Sequence, residues 1–355
     1  MPLDTAGEVA YCIVNHVACN TQPKEVFMRR MRTLSAIAVL SLAGITACAP
    51  ADTEGDEVRV LSLSHFMEAS HPHERCGFPA VNEHLEQANM RIETYPAAQL
   101  GGEAQSLELV NTQNLDMSTN GPSFLGVYDS RFNVLDAAYA FDDAESQREL
   151  SMSGAMDELL EMYHEETGMK VFRGWYYGTR HMTANKPIQD PTDLRGLKLR
   201  APDAPLYRTN IAAMGGTVTP MALNELYMGL QQGVVDAQEN PLPTISTMNL
   251  QEVQSDLSLT GHMVQALHIS VAEDVWTSLT RDEQSILEEA INMGAERAYE
   301  CVREEEESIL ADFEESGAMT IHEVGPEAFA DDVRSTLSEG QPFSEEYRSI
   351  LELQK

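Results

Sequence analysis

The chain has little lysine. Five of its 23 basic residues are Lys (24, 170, 186, 198 and 355), against 57 Asp and Glu. The formal net charge is −34. A phosphate polymer is repelled by such a field, so nucleic acid is excluded as a natural partner. Excess carboxylate with few lysines suits a secreted protein of a salty habitat, where ions screen self-repulsion. Catalytic signatures are also missing. The sequence has no GxSxG, HExxH, P-loop or strand-linked GxGxxG, so nucleophile-elbow, zinc-protease, NTPase and dinucleotide patterns have no foothold. No CxxC or His-rich spacing asks for a structural metal, and nothing asks for a cofactor. His71-Pro72-His73 is the only close histidine pair, and the proline at a helix start reads better as a cleft loop than as a metal site. Internal repeats and low-complexity segments are absent.

What is present is ordinary globular composition, 43% hydrophobic and 23% charged. At roughly 150 residues per domain, 355 residues predict two domains. Arg29, Arg30 and Arg32 precede an apolar stretch from Leu34 to Ile45. A bilayer span takes ~20 apolar residues, so this shorter stretch reads as the core of an export signal. Ile45-Thr46-Ala47-Cys48 resembles a bacterial lipobox, with Cys48 as the lipidated residue. A cut after Ala49 also fits the small-residue rule, but it leaves Pro50 behind the cut, which generally blocks ordinary signal peptidase. We therefore expect residues 1–27 to be an upstream extension, with Met28 or Met31 the true start. We expect 28–47 to be the signal and 48–57 a lipid-attached linker. Cys76 and Cys301 remain for the mature chain, 225 residues apart; two separate buried thiols are the simpler expectation, although an oxidising compartment permits a bond.

Alternating strands and helices predict an α/β fold with parallel pairing. Strands are expected at 58–64, 90–95, 115–119, 171–176, 180–183, 197–200, 234–238 and 267–270. Helices are expected at 72–88, 103–111, 144–168, 205–214 and 224–232. Thr280-Arg-Asp-Glu283 is a capping box, and the periodic run behind it predicts one helix of about 36 residues ending at Gly317. Such a helix is ~54 Å long, so it should cross between two domains; the alternative is a hairpin broken near Gly294. The acidic run Glu304–Glu307 reads as a solvated face of it.

Leu197-Lys-Leu-Arg-Ala-Pro202 ends a short strand on Arg200. Open α/β sheets bind ligands beyond the carboxyl ends of their strands, and a guanidinium fits a carboxylate bidentately. A neighbouring Glu would satisfy it equally well. Arg180 lies 20 residues earlier, and the 234–243 segment ends a strand with an amide at Asn240.

Leu197-Lys-Leu-Arg-Ala-Pro202, Thr219-Pro-Met-Ala-Leu-Asn-Glu-Leu-Tyr227 and Leu230-Gln-Gln-Gly-Val-Val-Asp-Ala-Gln-Glu-Asn-Pro241 resemble the solute-binding proteins of tripartite ATP-independent periplasmic (TRAP) transporters, the DctP family. Pro96-Ala-Ala-Gln-Leu-Gly-Gly-Glu103, Leu115-Asp-Met117 and Val134-Leu-Asp-Ala-Ala-Tyr-Ala-Phe141 resemble its first-lobe blocks, so the likeness runs over about 58–350.

The resemblance implies a periplasmic-binding-protein-like (type II) fold: two α/β lobes, a ligand cleft between them and a long helix crossing both. The lobes would be 58–177 plus 266–305, and 178–265 plus 306–355. It implies no enzymatic activity. The implied partners are a small organic acid and the small and large membrane subunits, and the implied place is the periplasm. Arg200 would grip the ligand carboxylate, with Arg180 a second basic contact and Asn240 a ligand amide. Further expected cleft residues are His71, His73, Glu74, Asn120, Phe124, Trp175, Tyr176 and Tyr227, with Glu239 orienting an arginine. Sialic-acid binders of the family carry a Glu where this chain has Ser118-Thr-Asn-Gly-Pro122, which disfavours that ligand. An aromatic cage of the kind that ectoine binders use cannot be assembled from these residues. A sugar acid or uronate is the favoured ligand, with a C4-dicarboxylate as runner-up. A ligand-presenting role for a receptor kinase is the alternative to transport.

Overall fold

The computed structural model describes residues 58–354. The expected extension, signal, Cys48 and linker lie outside the described residues. The strands are β1 (Arg59–Ser64), β2 (Met90–Tyr95), β3 (Met117–Asn120), β4 (Lys170–Val171), β5 (Trp175–Ala184), β6 (Leu199–Ala201), β7 (Val218–Pro220), β8 (Ala237–Pro241), β9 (Asp256–Val271) and β10 (Thr320–Glu323). Their order is β2-β1-β3-β9-β5-β8-β6-β7, with β4 and β10 also on β9. β1 pairs parallel with β2 and β3, and β6 pairs parallel with β7 and β8. The intervening helices supply the crossovers that parallel pairing requires.

β9 joins the two halves. Its end pairs antiparallel with β3, from Met117↔Val271 to Asn120↔His268. Its start pairs with β10 and with the second half of β5. Two lobes result. Leu61, Leu63, Val81, Ile92 and Met117 cluster in one; Leu226, Leu230, Leu242, Ile245 and Leu257 cluster in the other; a third cluster, with Leu107, Phe132, Leu199 and Phe329, is continuous across both.

The helix Arg281–Ser316 is continuous over 36 residues. Thr280 Oγ1 accepts the Glu283 N–H and Glu283 Oε2 accepts the Thr280 N–H, while Gly317 stops it in a left-handed conformation at φ 67°. Leu287, Ala290 and Ile291 join the first core, and Ile309 and Phe313 join the second. The hairpin alternative fails at Gly294, where a Cβ would lie 2.5 Å from Val81 and 2.6 Å from Trp175. Only a bare backbone lets the helix approach the indole that closely.

Several expectations need correction. The 72–88 helix is a wide turn (His73–Gly77), a helix (Phe78–Leu85) and a 3-10 turn (Glu86–Ala88). Pro79 has no N–H to continue the ladder from the preceding turn. The 144–168 helix divides into Ala144–Ser151 and Gly154–Thr167, because the Ser153 side chain accepts the Met156 N–H and starts a new helix. Segments 171–176 and 180–183 are resolved as the short β4 and one long β5, with register shifts between Tyr176 and Gly178 and between Arg180 and Met182. β8 starts at Ala237, not 234, since the Val234 N–H closes the preceding turn on Gly229 O. β9 runs 16 residues, far beyond 267–270. β10 and the helices Ala330–Leu337 and Ser344–Leu353 complete the second half.

Cys76 and Cys301 form a disulfide, with Cα atoms 6.6 Å apart, which replaces the expectation of two separate thiols. The His73–Gly77 turn packs on the long helix and brings them together; Arg75 and Glu305 pair beside them. Glu306 also departs from its expected solvated face. It is buried and accepts from Tyr176 Oη and from the Thr179 N–H at 2.9 Å. The β5 bulge at Gly178, φ 132°, turns that N–H out of the ladder.

Candidate ligand-binding cleft

A cavity of about 450 Å³ opens between the two lobes. Phe66 (behind β1), Gly102, Glu103, Gln105 and Phe124 line one side; Arg200, Pro202, Tyr207, Met221 and Asn224 line the other. Arg180 on β5, Asn240 on β8 and Gln265 on β9 complete the lining.

Arg180 and Arg200 are both almost fully buried, at 2% and 1% exposed, yet they differ in partners. Each nitrogen of Arg180 has a protein partner. Its Nε donates to Glu239 Oε2 at 2.5 Å and its Nη2 to Glu239 Oε1 at 2.8 Å. Nη2 also reaches Glu239 O and Asn240 Oδ1, and Nη1 donates to Gln265 Oε1 at 2.8 Å. Arg200 donates through Nε to Met221 O at 2.9 Å, and its buried Nη1 has no partner in the protein. A buried donor left unpaired is costly, and this one belongs to a cation lining the cavity.

The electrostatics follow. Burial alone would raise the Glu239 carboxyl, but Arg180 and His262 hold it at about 2; His262 Nε2 lies 3.2 Å from Glu239 Oε2. Burial lowers Arg200 to about 10, with Glu239 working against the drop and Arg180 adding to it. Arg180 is thus paired with Glu239, and Arg200 is the guanidinium without a carboxylate partner. On the opposite wall, burial pushes Glu103 up to about 8. The Gly121 N–H, donated to Glu103 Oε1 at 2.6 Å, opposes that rise, and Asp136 reinforces it.

The structure brings Arg200, Asn240, Arg180 and Phe124 together around the cavity, with Glu239 behind Arg180. It does not bring the other sequence-predicted residues there. His71 and His73 are buried behind β5, with His71 stacked on Tyr177 and His73 Nε2 on Tyr176 O at 2.9 Å. Glu74 pairs with His65 at 2.5 Å. Asn120 is held by Ser118 and donates to Glu103 O at 3.1 Å, so it braces the wall without facing the cavity. Trp175 fills the first core between Phe78 and the long helix, and Tyr176 turns to Glu306. Tyr227 donates to Glu252 at the surface. These side chains leave the cleft because their own apolar surface or hydroxyl finds a better partner in a core or on a helix. Sequence reasoning missed Glu103 and Tyr207. Glu103 stood inside the quoted first-lobe block, whereas Tyr207 reads as one more apolar residue on a packing helix.

A two-lobed α/β chain with a buried, half-satisfied arginine in its cleft is a solute-binding protein by architecture. Residues 77–337 match the model of "Bacterial extracellular solute-binding protein, family 7" (DctP), and the chain belongs to that family. It is 30% identical over 239 residues to the sialic acid-binding periplasmic protein of Vibrio cholerae, covering 66% of this chain and 73% of that one. A TRAP periplasmic solute-binding protein of Roseobacter denitrificans, solved with bound L-galactonate, superposes with a TM-score of 0.77 at 26% identity, covering 83% of this chain and 99% of its own. One from a Polaromonas species, bound to D-erythronate, gives a TM-score of 0.77 at 25% identity, with 82% and 98% covered. The protein is accordingly a binding subunit of an extracytoplasmic transport system and not an enzyme.

Proposed function

We propose that the cleft captures a polyhydroxylated monocarboxylate, a sugar acid, for delivery to TRAP membrane subunits. One observation carries this reading: the almost fully buried guanidinium of Arg200 lines the cavity with no carboxylate of its own and only its Nε donated to the protein. Arg200 is the carboxylate anchor. Asn240 and Arg180 flank it, Glu239 holds Arg180 in place, and Phe124 supplies an apolar wall. Because Glu239 pairs with Arg180, Arg200 is the one guanidinium left for a ligand carboxylate. A C4-dicarboxylate would bring a second negative charge with no cation left for it, at a real desolvation cost. The relatives solved with L-galactonate and D-erythronate each hold a single carboxylate on a hydroxylated chain, in keeping with this choice.

The lobes are taken as 58–177 plus 266–305, and 178–265 plus 306–355. The β5 bulge at Gly178 and its tie to Glu306 support those boundaries. Tethering by lipid at Cys48 rests on Ile45-Thr46-Ala47-Cys48; among the described residues no helix is long and apolar enough to cross a membrane.

A thermal-shift screen of organic acids tests the reading. A ligand at about 100 times its Kd stabilises the native state by about 2.7 kcal/mol. Sugar acids should raise Tm and exceed succinate and malate. If no organic acid raises Tm, or if a dicarboxylate exceeds every monocarboxylate, the reading fails.

A further inference from the structure

We propose that Tyr207 is a specificity residue of the cleft, donating its phenol O–H to an oxygen on the carbon beside the ligand carboxylate. The site would then select 2-hydroxy and 2-oxo acids. The inference rests on the reading that the cleft takes an organic acid.

It follows from where the hydrogens go. Gln265 Oε1 accepts from Arg180 Nη1 at 2.8 Å, which fixes the amide's orientation. Both Nε2 hydrogens are then used, one on Asp136 Oδ1 at 3.0 Å and one on Tyr207 Oη at 2.8 Å. Tyr207 is therefore an acceptor from Gln265, and its own proton must point elsewhere. No protein acceptor stands within reach of it among the described residues, while its side chain lines the cavity and is 3% exposed. Burial raises the phenol well above its ordinary value, so it keeps that proton.

Its position indicates which ligand atom it meets. The Arg180 guanidinium lies over the Tyr207 ring, 5.4 Å from Cζ to the centroid, so the phenol sits beside the cationic end of the cleft. The Arg200 guanidinium and the Asn240 Nδ2 hydrogen that Gln238 leaves free are the donors for the carboxylate oxygens. The next oxygen along the ligand is the one on carbon 2, and Tyr207 is the next donor. A hydroxyl or a keto oxygen accepts that bond; a bare methylene leaves the donor unpaired.

Calorimetry on wild type and Tyr207→Phe, with L-galactonate, D-erythronate and the 2-deoxy analogue of each, tests this. Phenylalanine keeps the ring under Arg180 and removes only the donor. Wild type should prefer the better of the two 2-hydroxy acids over its 2-deoxy analogue by about tenfold. Tyr207→Phe should lose most of that preference while binding the 2-deoxy acid within about threefold of wild type. A merely structural role would weaken both ligands alike. Lack of preference in wild type overturns the proposal whether or not the variant folds. So does a full preference retained in Tyr207→Phe, or binding confined to acids without an oxygen on carbon 2. Failure of any organic acid to bind is the separate outcome that sinks the reading of the cleft itself.

Discussion

Two buried arginines 20 residues apart do different work because only one has a carboxylate of its own. Breaking a buried pair by deleting one member costs about 3–5 kcal/mol, so Glu239 serves Arg180 and leaves Arg200 as the group that a ligand must satisfy. Glu103 faces them across the cavity, and its protonation makes a stability prediction. The folded carboxyl keeps its proton up to about 8, against 4.5 for an ordinary Glu. Between those values the native state binds the extra proton, so its contribution is full below about pH 4.5 and is lost as pH rises toward 8. Glu103→Gln should remove that dependence. Melting curves from pH 5 to pH 8.5 should show wild type losing Tm relative to Glu103→Gln as pH increases, and parallel curves would contradict the shift. Arg200 and Asn240 were readable because they lie near the carboxyl ends of short strands, where α/β folds expose side chains to ligands, whereas Arg180 sits within β5 beside its second bulge. Glu103 and Tyr207 were not, because a first-turn Glu reads as a helix cap and a helical Tyr reads as packing. His71, Trp175 and Tyr227 lie outside the cavity lining for the opposite reason. Their positions in the chain are near the cleft, but rotamer and local partner decide where a side chain points, and neither is written in spacing.

At the scale of elements, the strongest periodic signals survived intact. The long helix kept its capping box, length and glycine stop, and β2 and Glu103–Asn111 kept their bounds. Weaker signals lost to local chemistry: Pro79 and Ser153 divided helices, and the glycine-bearing stretch around Gly261 hid the first half of β9. The long helix docks closely on the first core because Gly294 admits Val81 and Trp175 against its backbone. Gly294→Ala should therefore cost stability, although alanine is the better helix former by about 1 kcal/mol. Overpacking of this kind costs about 1–3 kcal/mol net. Chemical denaturation should give a lower midpoint at unchanged m; an equal or higher midpoint would show that the contact yields.

The whole molecule joins a strongly acidic surface to a cleft whose unpaired charge is positive, so attraction of the ligand acts at short range, inside the cleft. Cavity-lining residues come from both lobes, and the joining segments are few: β5, β9 and the long helix. A ligand that touches both lobes favours the closed arrangement by its differential affinity alone. Small-angle scattering of wild type and Arg200→Ala, with the best acid from the screen at ten times the wild-type Kd, tests this most directly. Removing one partner of a desolvated charged pair costs roughly 2–5 kcal/mol, so the mutant binds at least about 30-fold more weakly and is at most about one quarter occupied. The account predicts that the wild-type radius of gyration falls on adding ligand while that of Arg200→Ala barely changes. An equal fall in both proteins, or none in wild type at calorimetrically proven saturation, would contradict it.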